Sequence, residues 1–279
     1  MSIWDERKID CHHHVIDPAR FPYANDTAYR PHGQEVAPLE LLLQVFESFA
    51  VRYGLVVGTN SGYGTDNRIV LDSIRRSNNR LKGVAVVPNS IGIEALAQLK
   101  AQGIVGVAFN PSAWGLAFYR DAAPLVARVV ELGMFLQVQT EKDQLVDLMA
   151  LIGPTQVRIL IDHCARPTVP AGLNQPGFQK ALELGRSGQA CVKISGFAKF
   201  SETACPHHDA EPYIAALVEA FTLDRCLWGS DWPYLRADHH IDFGMMLKLI
   251  ESWFPNPIDR EKLLWETPFR LFDFGAKHD

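Results

Sequence analysis

Short β-rich apolar runs recur along the chain at Ile9 to Val15, Tyr53 to Thr59, Gly83 to Val87, Val105 to Asn110, Phe135 to Gln139, Val157 to His163, Cys191 to Ser195 and Cys226 to Ser230. Between most of them lie segments with apolar residues at helical spacing: Leu39 to Phe49, Ile93 to Lys100, Ala122 to Leu132, Lys142 to Leu151, Phe178 to Leu184, Tyr213 to Phe221 and Phe243 to Trp253. Strands joined through helices pair in parallel, because each helix returns the chain to the same end of the sheet. Eight such strands close a (β/α)8 barrel of the α/β class, the TIM-barrel architecture, for which about 250 residues suffice. The chain has 279 residues and no Ser/Gly-rich linker or charge block, so residues 1–279 are read as a single domain. A doubly wound open sheet is the competing architecture, but no G-x-G-x-x-G follows the first strand.

Composition narrows the partners. The net charge is -5 and the basic residues are dispersed, which offers no footprint for a nucleic-acid backbone or an anionic membrane. Residues 1–8 contain no apolar h-region, and no apolar run approaches the roughly 18 residues that a membrane helix needs. The 5 cysteines form no C-x-x-C pair and read as reduced thiols, hence a cytoplasmic protein. A small molecule is the expected partner, and the composition is compatible with a homo-oligomer.

In such a barrel the chemistry sits where the strands end at their carboxyl side. The first run, Ile9-Asp10-Cys11-His12-His13-His14-Val15, places His12 and His14 on one face of a strand and His13 on the other. Buried imidazoles need partners, and a metal ion or a substrate carbonyl would supply one. His163 ends the sixth run, and Asp231 follows the last one, closing the ring towards the first. Asp231 could instead cap a helix, but Trp232-Pro233 makes an immediate helix start awkward. Long connections at residues 15–37, 201–209 and 232–242 are read as functional loops. The pairs His207-His208 and His239-His240 are expected to be exposed loop residues.

Four segments together carry a family resemblance: Asp10-Cys11-His12-His13-His14, Leu160-Ile161-Asp162-His163-Cys164-Ala165-Arg166-Pro167, Val192-Lys193-Ile194-Ser195-Gly196 and Trp228-Gly229-Ser230-Asp231-Trp232-Pro233. Their order and spacing resemble the amidohydrolase superfamily, in the branch of 2-pyrone-4,6-dicarboxylate hydrolases and the sugar and muconate lactonases. The tail Trp265-Glu266-Thr267-Pro268-Phe269-Arg270-Leu271-Phe272 is similar to that family's closing Asn-Pro-Ala-Arg-Leu-Phe signature, with Thr267 and Phe269 as departures.

The resemblance implies Asp231 as general base, with His12, His14 and His163 polarising the carbonyl or binding one metal. The metal-bridging Lys or Glu of the superfamily and its further metal-binding histidine are not evident after residues 107–110 or 135–139. No cofactor is therefore expected to be strictly required; a single Zn2+ on His12, His14 and Asp231 is the alternative. The expected reaction is the opening of a small lactone by water. The developing oxyanion would be met by the imidazoles, and no G-x-S-x-G nucleophile elbow is present. A metal-dependent decarboxylase of an aromatic or unsaturated acid and a non-catalytic binding barrel are the alternatives, and the joint presence of the histidines and Asp231 argues against the latter.

Substrate contacts are expected from Ser61, Asn110, Trp114, Gln139, Arg166, Lys193 and Tyr234. The dicarboxylate branch, as the resemblance implies, carries an arginine before Phe-Asn at the end of its fourth strand, where this chain has Ala108. Only Lys199 stands where that branch has a second arginine. An alanine and a displaced lysine cannot reproduce an arginine fork on a carboxylate, so a lactone with fewer carboxylates is expected.

Overall fold

The computed structural model describes residues 2–275. Eight strands form one sheet in sequence order: β1 Lys8–His13, β2 Val51–Val57, β3 Leu81–Ala85, β4 Ile104–Phe109, β5 Phe135–Val138, β6 Arg158–Ile161, β7 Ala190–Ile194 and β8 Cys226–Trp228. Every neighbouring pair from β1 to β8 is parallel. The seam between β8 and β1 is closed just beyond β8, where Asp231 N–H donates to His12 O at 2.8 Å and His14 N–H to Trp232 O at 2.9 Å. The expected (β/α)8 barrel is the observed fold.

A helix follows each strand: α1 Leu39–Ser48, α2 Arg68–Arg76, α3 Ile93–Ala101, α4 Ala123–Glu131, α5 Gln144–Ile152, α6 Pro176–Arg186, α7 Glu211–Phe221 and α8 Phe243–Trp253. Helix α2 is absent from the sequence-based expectation. Its buried stripe is Ile69, Val70 and Ser73, so a serine interrupts the apolar period. The structure tolerates that serine because its hydroxyl donates to Ile69 O at 2.7 Å. Several strands also end earlier than the apolar runs suggested. His14 and Asn110 each fall one residue past the end of their strand.

Inside the barrel, Ile9, Cys11, Leu55, Phe135, Leu160, Cys191 and Leu227 form an apolar layer, closed from beneath by Phe272 and Phe274 of the C-terminal segment. Above Phe135, Leu160 and Cys191, two residues further along their strands or just past them, come Gln137, Asp162 and Lys193, all buried. The period of two stacks a polar layer on the apolar one. Strand β1 joins it through a register shift against β2 between Asp10 and His13. That irregularity lets Cys11 pack in the apolar layer while its neighbour His12 reaches the polar one.

Candidate active site

His12 comes from β1, His14 from the residue after it, His163 from the turn after β6 and Asp231 from the segment after β8. The His12 ring centroid lies 5.1 Å from that of His14 and 4.4 Å from that of His163. Asp231 Oδ1 is 3.9 Å from His12 Nε2 and 3.7 Å from His163 Nε2, and Lys199 Nζ is 3.6 Å from Oδ2. The four expected catalytic residues therefore meet, and Lys199 joins them.

The backbone around them is tightly held. His163, Cys164, Ala165 and Arg166 all have positive φ, a run of non-glycine residues in the left-handed region, and Asp231 has φ 61°. Such conformations cost about 1–3 kcal/mol each and persist only where the surroundings impose them. Here Ala165 N–H donates to Asp162 O and Arg166 N–H to His163 O, which closes the turn. Gly196, at φ +61°, lies against the His163 ring so closely that an added Cβ would fall 2.4 Å from Nδ1. Asp10 ties the first and last strands together, because its carboxylate accepts from Ser230 N–H at 2.9 Å, Ser230 Oγ at 2.6 Å and His12 N–H at 3.1 Å.

Hydrogen bonding distinguishes the imidazoles. His14 Nδ1 lies 2.8 Å from Val57 O, an acceptor, so Nδ1 carries the proton and Nε2 presents a lone pair. His163 Nδ1 pairs with Ser195 Oγ at 3.1 Å. His12 Nδ1 faces both Asp162 Oδ1 at 3.2 Å and Lys193 Nζ at 3.1 Å, while its buried Nε2 has no protein partner.

Burial pushes all three rings towards the neutral form: His163 falls to about 4, His12 well below its ordinary value, and His14 below it. Burial works in the opposite sense on Asp231, but the adjacent Lys199 ammonium and the imidazoles outweigh it and hold the carboxyl well below the usual range. Asp162 is held down likewise, against its burial, by Lys193 and His12.

The expected substrate contacts divide. Asn110, Gln139 and Arg166 converge on Ser112, whose Oγ donates to Asn110 Oδ1 at 2.7 Å and accepts from Arg166 Nη1 at 3.1 Å and Gln139 Nε2 at 3.4 Å. Ser112 lies in no motif that the sequence marks out. Trp114 packs against an apolar wall of Val57, Val84, Val86 and Ala108. Tyr234, its hydroxyl buried and unpaired, lines a small cavity of about 50 Å³ together with Lys199, Asp231 and Arg236. Ser61 sits in a kinked turn, and its N–H donates to Thr59 Oγ1 at 3.0 Å.

Lys193 departs from expectation. It is 0% exposed, beneath His12, with Nζ 2.6 Å from Gln137 Oε1 and 3.0 Å from Asp162 Oδ1, so its donors are taken up inside the barrel rather than offered to a substrate. His207 departs too. It is 1% exposed, and its Nδ1 meets Ser201 Oγ and Thr203 O, so the ring pins its own loop, while His208, His239 and His240 are exposed as expected. All 5 cysteines are free, and four of them are buried.

The residues fit a single divalent ion. His12, His14 and Asp231, and separately His12, Asp162 and His163, each bring their ligand atoms within 4.8 Å of one another. The inward lone pair of His14 and the Asp231 carboxylate suit a Zn2+ site with an open position. Asn110 and Gln139, at the ends of β4 and β5, supply neither a bridging carboxylate nor a further imidazole. Among the described residues no helix is long and apolar enough to cross a membrane.

The chain resembles known proteins over most of its length. Residues 9–274 match the family model described as amidohydrolase. A 4-sulfomuconolactone hydrolase of Rhizobium radiobacter is 33% identical over 273 residues, spanning 94% of this chain and 89% of the relative. A 2-pyrone-4,6-dicarboxylate hydrolase of Comamonas testosteroni is 29% identical over 277 residues, spanning 95% of this chain and 89% of the relative. The crystal structure of a probable 2-pyrone-4,6-dicarboxylic acid hydrolase from Acinetobacter baumannii, with citric acid bound, superposes with a TM-score of 0.86 at 27% identity, covering 96% of this chain and 100% of that one.

Proposed function

Because the chain belongs to the amidohydrolase family, we propose that it is a hydrolase that opens a small lactone by water attack. The observation that carries this reading is the convergence of His12, His14, His163 and Asp231 at one end of the barrel. Full-length relatives named as lactone hydrolases support it.

Asp231 is ionised beside Lys199 and takes a proton from the attacking water, then returns it to the departing ring oxygen. The lone pair of His14 Nε2 accepts from the same water and orients it. The carbonyl oxygen, negative in the tetrahedral intermediate, is met by imidazole N–H groups of His12 and His163, whose site excludes bulk water and strengthens each bond. Neutral rings suit this role, since a neutral imidazole N–H donates without an ionic lock on Asp231.

The reaction on this reading requires no metal. A divalent ion, held when bound by His12, His14 and Asp231, would add Lewis-acid polarisation of the carbonyl. The substrate is a lactone with few carboxylates. Its uncharged side lies on the wall of Ala108 and Trp114, and a single anionic substituent reaches Lys199 or Arg236 across the mouth. Free buried thiols suit a reducing cytoplasm.

A lactone-hydrolysis panel run before and after exhaustive chelation tests the proposal. Hydrolysis that survives chelation is expected. Loss of activity restored by Zn2+ would overturn metal independence, and no turnover of any lactone under either condition would overturn the function.

A further inference from the structure

Lys193 is a buried lysine inside the barrel that the reaction above does not use. Its ammonium, 0% exposed, has three N–H groups and three acceptor positions within reach: Gln137 Oε1 at 2.6 Å, Asp162 Oδ1 at 3.0 Å and His12 Nδ1 at 3.1 Å. Gln137 is itself fixed, because its Nε2 donates to Asp162 Oδ2 at 2.8 Å. The geometry points to Lys193 as the residue that sets the tautomer of His12, holding its proton on Nε2 so that an N–H rather than a lone pair faces the substrate.

A nitrogen of a neutral imidazole either donates or accepts, so His12 Nδ1 cannot serve Asp162 and Lys193 together. With the proton on Nδ1, two donors face each other and one N–H of a buried cation is left unpaired, which is the costlier outcome. With the proton on Nε2, all three Lys193 N–H groups are satisfied. Asp162 then still accepts from Lys193 on one oxygen and from Gln137 on the other.

The unpartnered, buried Nε2 of His12 is then the donor awaiting the lactone carbonyl. His14 carries its proton on Nδ1, so neighbouring imidazoles are set in opposite tautomers: His12 donates to the carbonyl and His14 accepts from the water. The consequence for a metal is direct, since a ligand needs a lone pair on Nε2 and His12 would first have to pass its proton to the Asp162 side. The carbonyl-polarising role rests on the lactonase reading, whereas the tautomer itself does not.

The test is a two-bond 1H–15N correlation spectrum of the metal-free full chain carrying ring-15N histidine, with His12 assigned by comparison with His12→Gln. The expected result is a protonated Nε2 and an unprotonated Nδ1 for His12, the reverse of His14. A protonated Nδ1 on His12 would overturn the inference. In Lys193→Met, which removes the donor at similar length, the His12 proton is expected to move to Nδ1, facing Asp162; an unchanged His12 pattern in this variant would remove Lys193 from the role. If Lys193→Met does not fold, a wild-type spectrum with Nδ1 protonated still overturns the inference. Neither measurement needs turnover, so a chain that hydrolyses no lactone would sink the proposed function and leave the tautomer result standing.

Discussion

Lys199 Nζ lies 3.6 Å from Oδ2 of Asp231, while His163 Nε2 lies 3.7 Å from Oδ1, so the carboxylate is held between a cation and an imidazole. Lys199 also donates to Leu235 O, which fixes the ammonium in place. A base kept ionised by a neighbouring cation is a weaker proton acceptor but is available over a wider pH range. That trade-off leads to two predictions about Asp231.

Asp231→Asn keeps the shape of the side chain and removes its basicity. The expected outcome is a fall in kcat of about 10²- to 10⁴-fold, the usual contribution of a general base. KM and the circular dichroism spectrum should change little. Steady-state kinetics that leave kcat within a few-fold of wild type would take Asp231 out of the reaction.

Lys199→Met removes the cation that most lowers the Asp231 carboxyl. With burial then less opposed, the carboxyl pKa rises towards its ordinary value, and the base is protonated at a higher pH than in wild type. The acid limb of the kcat/KM profile should shift upward relative to wild type. A limb that stays in place would contradict the electrostatic link.

Stability should depend on pH through His163. Its folded-state value is depressed to about 4 from 6.5, chiefly by burial. The unfolded chain therefore binds a proton that the folded chain refuses between those values, and stability falls as pH drops from 6.5 towards 4. The single group accounts for roughly 3 kcal/mol across that window at most. Urea midpoints measured between neutral and mildly acid pH should fall more steeply for wild type than for His163→Gln. Parallel curves would count against the depressed value.

Substrate preference follows from the wall of Ala108 and Trp114. Side-by-side kcat/KM values for 2-pyrone-4,6-dicarboxylate and for lactones with one or no carboxylate should favour the latter. Ala108→Arg should narrow the gap, because a guanidinium supplies the two parallel hydrogen bonds that a second carboxylate needs. A clear wild-type preference for the dicarboxylate would refute the assignment and direct attention to Arg166, beside Ser112 and Glu141.

Much of the frame was legible along the chain. Runs of Val, Ile and Leu alternating with helical stripes imply parallel strands, and the period of two put His12 and His14 on one face; both rest on local covalent geometry that sequence spacing encodes directly. Asp231 was legible because Trp232-Pro233 disfavours the helix it might otherwise have capped. Tertiary structure alone decided how deep each inward residue lies. Lys193 and the mouth residues look alike in one dimension, but the stagger of eight tilted strands sinks Lys193 beside Gln137 and Asp162, and a register shift in β1 brings His12 down to meet it. The same holds for Ser112, which joins Asn110, Gln139 and Arg166 from three different strand ends, and for His207, buried by the loop it pins. Depth and convergence depend on contacts between residues far apart in the chain, and no local spacing records them.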